Sequence, residues 1–92
     1  MNQQENVYRV DATRVVWRAA GDEVVVLDTA QSVYFGLARP GALLWHRLVD
    51  GATHSDLVAA LVQDEPVDPA QARADVSAFL DELHGHGLLP RP

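Results

Sequence analysis

The chain changes its hydrophobic period once, at Arg39-Pro40-Gly41. Before that point the apolar positions are β-branched, clustered and short in period. After it they recur every three or four residues. Arg14-Val15-Val16-Trp17-Arg18 predicts a strand, and Ala20-Gly21-Asp22 behind it predicts a turn. Glu23-Val24-Val25-Val26-Leu27-Asp28 predicts a second strand, Thr29-Ala30-Gln31-Ser32 a polar connection, and Val33-Tyr34-Phe35-Gly36-Leu37 a third strand. Connections this short favour antiparallel neighbours, so the three form a meander with the Val24 strand in the centre. Residues 7–10 either extend the first strand or form a separate short one.

Helices follow. The first begins near Pro40, carries Leu44, Trp45, Leu48 and Val49 on one face, and ends at Asp50-Gly51. Thr53 caps the second, Asp56 lies in its first turn, and Leu57, Val58, Leu61 and Val62 form its buried face until Pro66 interrupts. Asp68-Pro69-Ala70-Gln71 starts the third, with an acidic cap, a first-turn proline and a glutamine placed to reach back. Val76, Phe79, Leu80 and Leu83 recur at i, i+3, i+4 and i+7, and Gly85 and Gly87 terminate the pattern. Leu88 and Leu89 are expected to tuck back onto the core. Strands and helices segregated in this way predict an α+β fold, a three-stranded antiparallel sheet followed by three helices. Residues 1–92 are expected to form a single domain, with residues 1–6 flexible.

Composition narrows the function. Ninety-two residues, 48% of them apolar, suffice for one small core. The absence of cysteine removes disulfides, thiolate metal sites and cysteine nucleophiles together, and suits a reducing cytoplasm. The polar start and the lack of a long apolar run predict a soluble, cytoplasmic chain with no membrane contact. Thirteen acidic residues face seven basic ones, all arginine, for a net charge of −6. Such a chain is repelled by nucleic acid phosphates. A winged-helix DNA-binding role therefore fits poorly, since the would-be recognition helix from Thr53 to Val62 holds no lysine or arginine.

A search for chemistry finds no catalytic constellation. His84-Gly85-His86 invites a metal reading, but two imidazoles without a clear third ligand make a poor zinc site, and neither a metal nor another cofactor is expected. Ser32, Ser55 and Ser77 stand in no nucleophile motif, and there is no phosphate-binding glycine loop. Asp81 and Glu82 are adjacent on a helix and point in different directions, as an exposed acidic face does. The chain is not expected to be an enzyme.

The informative feature is an edge. Residues 31–37 contain no charge and no proline, the usual defences of an exposed strand. Such an edge is either covered, by the Leu88-Leu89 tail or a second copy of the chain, or kept open for a partner. An extended peptide added there gains main-chain hydrogen bonds, while pockets beside the strand supply specificity. Trp45 is expected in the core. Trp17 is either core or a stacking platform, and Tyr34 and Phe35 face opposite sides of their strand.

Val25-Val26-Leu27-Asp28-Thr29, Val33-Tyr34-Phe35-Gly36-Leu37, Gly41-Ala42-Leu43-Leu44-Trp45 and Leu48-Val49-Asp50-Gly51 together resemble the PqqD-like family, as do Asp75-Val76, Phe79-Leu80, Leu83 and Gly87-Leu88-Leu89. The resemblance spans about residues 15–89. It implies a RiPP recognition element, a winged-helix-like domain that takes the leader of a ribosomally made precursor peptide as an extra strand between the third strand and the third helix. The pyrroloquinoline-quinone member has a Pro-Glu pair where this chain has Asp28-Thr29-Ala30. The chain looks more like the stand-alone B1 proteins of lasso peptide pathways, which present the precursor to a B2-type cysteine protease before a cyclase closes the ring.

Carried over by position, the resemblance implies backbone pairing by Ser32, Val33, Tyr34, Phe35 and Gly36. It implies side-chain contacts from Asp28, Val33, Tyr34, Arg73, Val76, Ser77 and Leu80. Arg73 is either a partner for a leader carboxylate or a solvated cation, and Val76 and Leu80 either line the groove or belong to the core. Other readings remain: a PqqD-type peptide chaperone for a different modifying enzyme such as a radical SAM enzyme, a histidine-based metalloenzyme, or a module that dimerises through the edge.

Overall fold

The computed structural model describes residues 5–90. Its first element, β1 (Val7–Tyr8), is separate from the meander of β2 (Val15–Ala20), β3 (Glu23–Asp28) and β4 (Val33–Leu37). The helices are α1 (Gly41–Asp50), α2 (His54–Asp64) and α3 (Pro69–Gly85), with a short β5 (Ala52–Thr53) just before α2. The fold is α+β, and β3 is the central strand of its three-stranded antiparallel sheet.

Ala20 pairs with Glu23, which leaves a two-residue turn, and Gly21 supplies its positive φ of 63°. Alternation then sorts the side chains. Trp17, Val26 and Phe35 are register partners and form one row across the inner face. Val16, Leu27 and Tyr34 form the next row, on the outer face, where Tyr34 is 71% exposed. Beneath the inner face lies the core: Val24, Val26, Leu44, Trp45, Leu48, Leu57, Leu61 and Val76 are all buried. Trp17 packs on that core, half-buried, its ring edge-on to Trp45 at 6.4 Å.

The helix ends follow the capping chemistry in the sequence. Thr53 and Asp56 form a reciprocal capping box at α2. Asp68 accepts from the Ala70 and Gln71 amides at 3.0 and 3.3 Å. Gln71 does not reach back to its cap; its side-chain amide instead donates to Asp75 Oδ1, one turn ahead, at 2.8 Å. The carboxylate of Asp68 already occupies the first-turn amides, so the glutamine turns to its i+4 neighbour.

Two tethers complete the fold. β1 pairs with β5 rather than extending β2, and tacks the start of the chain to the α1–α2 corner. Residues 1–4, the larger part of the segment expected to be flexible, lie outside the described residues; Glu5 accepts from the Ser55 amide and hydroxyl at 3.3 and 2.7 Å. At the other end Leu88 and Leu89 are buried, and the Leu88 carbonyl accepts from the Asp11 amide at 3.2 Å. The tail thus enters the core and bonds the β1–β2 connection, not the edge of β4.

Candidate functional site

β4 is an edge strand, and its turn is held from within. Asp28, the last residue of β3, is fully buried. One of its oxygens accepts from the Ala30 amide at 2.9 Å and the Gln31 amide at 3.4 Å, and both oxygens meet the Arg14 guanidinium at 3.3 and 3.4 Å. Burial raises the cost of this charge. The Arg14 hydrogen bonds and the two amides outweigh that cost and hold the carboxyl below its ordinary 3.8. Ser32 then enters β4 from the left-handed region, at φ 57°.

Outside the β3–β4 ladder, no backbone hydrogen bond among the described residues involves Val33–Leu37. The outward N–H and C=O groups of β4 are open along its length. Beside them runs α3. Phe35 and Leu37 on β4 face Phe79, Glu82 and Leu83 on α3 and His86 at its C-cap, with Val26, Trp45 and Leu88 as the floor. The imidazole of His86 covers one end of this furrow, 4.6 Å from the Phe35 ring. At the other end Phe79 stands so close to α1 that a Cβ on Gly41 would come within 3.3 Å of it. The cavity between is about 30 Å³, open to one side and lined mainly by apolar side chains.

The sequence-derived site residues separate into three groups. Val33, Tyr34, Phe35 and Gly36 lie on the open edge, with Ser32 in the turn before it. Of these, Phe35 points into the furrow, whereas Tyr34 and Gly36 lie on the outer face and Val33 is 39% exposed. Asp28, Val76 and Leu80 are interior: Asp28 braces the turn, and Val76 and Leu80 are core residues at 0% and 4% exposure. Arg73 and Ser77 are exposed on the opposite flank of α3. Arg73 borders a shallow furrow with His54, Val58 and Val62 of α2, and Ser77 Oγ is hydrogen-bonded to His54 Nε2 at 2.9 Å. Neither reaches β4.

The groove residues that sequence reasoning missed are Phe79, Glu82, Leu83 and His86 as one set. Their i, i+3, i+4, i+7 spacing was present in the chain. It was obscured because Val76, Phe79, Leu80 and Leu83 read equally well as a single stripe. His84 and His86 do not act together: His84 faces Tyr8, with rings 6.3 Å apart, while His86 faces Phe35. Among the described residues no group of three or more His, Cys, Asp or Glu side chains is gathered to hold a metal ion, and no helix is long and apolar enough to cross a membrane.

The family model described as coenzyme PQQ synthesis protein D (PqqD) matches residues 23–89, which include β3, the β4 edge and α3. The chain belongs to the PqqD family. Within that setting, its structure is similar to one described as TbiB1 in complex with the TbiA(beta) leader peptide. The two share 30% identity and a TM-score of 0.85, over 91% of this chain and 96% of that one. A second solved structure, lasso peptide synthetase B1 complexed with the leader peptide, is 24% identical with a TM-score of 0.81, over 91% of this chain and 98% of that one. At that identity the second likeness shows the fold alone. A comparison with curated proteins gave no match.

Proposed function

We propose that this PqqD-family chain is a non-catalytic RiPP recognition element that binds a precursor's leader peptide as an added strand on β4. The observation that carries the reading is the open, uncharged edge of β4 beside an apolar furrow on α3. Main-chain pairing supplies sequence-tolerant affinity, and the furrow takes apolar leader side chains. The likeness to TbiB1, solved in complex with a leader peptide, supports a leader peptide as the ligand. The other sheet edge, β2, carries Arg18, and none of its residues lines that furrow. A DNA-binding role finds no support in α2, whose eleven residues include Asp56 and Asp64 and no arginine.

In this reading the chain works in the cytoplasm and hands the bound precursor to a B2-type cysteine protease, with a cyclase acting afterwards. The test is fluorescence anisotropy with a labelled leader from the precursor encoded beside this chain, against a scrambled leader. Saturable binding of the first alone is expected, together with faster leader removal when the chain is added to precursor and protease. A folded chain that binds neither peptide would overturn the proposal. Binding without any effect on the protease would leave leader capture standing and remove the presentation step.

A further inference from the structure

Among the described residues, Glu82 is the one anionic side chain lining the β4–α3 furrow. It lies between Phe79 and His86 on the groove-facing stripe of α3, with Leu83 buried beside it. It is exposed, and among the described residues it has no ion-pair partner. Two arginines near the sheet are engaged elsewhere: Arg14 by Asp28, and Arg39 by Asp64 and Asp22. A strand added to β4 lies roughly 4.8 Å outside it, between that edge and the rim of α3. Its side chains alternate, so a residue next to one that enters the apolar cavity passes along the rim. A bound peptide strips water from that rim. An apolar or acidic side chain there leaves the Glu82 carboxylate poorly paired, whereas lysine or arginine replaces the lost water with a charge-assisted hydrogen bond.

We infer that Glu82 is a specificity-determining residue, selecting a peptide in which a lysine or arginine flanks the apolar side chain held by Phe35, Leu37 and Phe79. The inference rests on the strand-addition reading and names the charge class of the ligand at that same site. The chain's net charge of −6 also attracts cationic peptides in general. A second acidic residue therefore serves as the control. Asp81, adjacent in sequence, lies with His84, Gly85 and Leu89 on a different side of α3.

The test is selection from a random twelve-residue peptide display library on four whole chains: wild type, Glu82→Gln, Glu82→Arg and Asp81→Asn, each checked by circular dichroism. Wild type and Asp81→Asn are expected to enrich lysine or arginine at a fixed distance from an apolar anchor. Glu82→Gln loses that positional enrichment, and Glu82→Arg replaces it with aspartate or glutamate. A synthetic peptide from the wild-type pool should weaken by roughly three- to tenfold when its basic residue becomes glutamine. Equal enrichment by wild type and Glu82→Gln, or equal loss in Asp81→Asn and Glu82→Gln, would overturn the role of Glu82 while leaving strand addition intact. No enriched peptides on folded wild-type chain would overturn strand addition itself, and this inference with it.

Discussion

The His86 ring lies across the Phe35 ring, with centroids 4.6 Å apart and planes tilted by 56°. This contact joins the end of α3 to the middle of the β4 edge. It therefore sets the width of the furrow at one end, and an aromatic pair in such geometry contributes on the order of 1 kcal/mol beyond simple burial. Phe35 is also the only β4 residue besides Leu37 to line the cavity among the described residues.

Phe35→Ala removes both the furrow wall and the support for His86. Leader affinity is expected to fall by at least about tenfold, in line with the loss of a central aromatic contact. Anisotropy titration measures it, with far-UV circular dichroism to check the fold. An unchanged affinity in a folded variant would place the peptide elsewhere.

Asp28 gives a prediction on pH. Its carboxyl is held below the ordinary 3.8 in the fold, so it contributes stability that is present above that value and is lost as pH falls through the lower, folded-state value. Asp11, held low by the Thr13 hydroxyl and amide, acts in the same direction. Thermal unfolding of the wild-type chain should lose stability steeply below about pH 4. Asp28→Asn should be less stable near neutral pH and show a shallower acid limb. Parallel acid limbs in the two proteins would contradict this account of the turn.

Leu80 and Arg73 separate core from surface on α3. Leu80→Ala should lower unfolding stability by about 2–5 kcal/mol, the usual result of emptying a buried leucine site. Arg73→Ala should shift stability by no more than about 0.5 kcal/mol and leave leader affinity within about twofold, since Arg73 lies on the α2 flank. Chemical denaturation and anisotropy read the two effects. A large affinity loss in Arg73→Ala would mean that the peptide crosses α3 to its far side.

Much of this fold was legible because its elements carry strong local signals. Val24 and Val26 alternate with half-buried neighbours along β3, and Asp68-Pro69 marks the start of α3 without ambiguity. The β1–β5 pair was not legible: two-residue strands have no period, and the partners Val7 and Thr53 lie far apart in the chain. The candidate site was legible as an edge but not as a groove. Val76 and Phe79 differ by only about 60° around a helix, so sequence alone cannot divide one stripe into a core face and a groove face. Tertiary packing decides it, by burying Val76 against the helices and leaving Phe79 half-covered beside Leu37. Asp28 shows the same limit. A carboxylate at a strand end looks available to a ligand, but Arg14 and two turn amides already occupy it.

If a leader peptide becomes the next strand beside β4, amide hydrogen exchange followed by NMR reads the change on the strand itself. In an antiparallel strand alternate N–H groups face opposite sides, so only every second amide of Val33–Leu37 is open to a new neighbour. Saturating leader is expected to slow exchange at those alternating amides and to shift the resonances of Phe79, Glu82 and His86. Unchanged exchange throughout β4, with protection appearing instead on β2 or in the α2–α3 furrow, would contradict it.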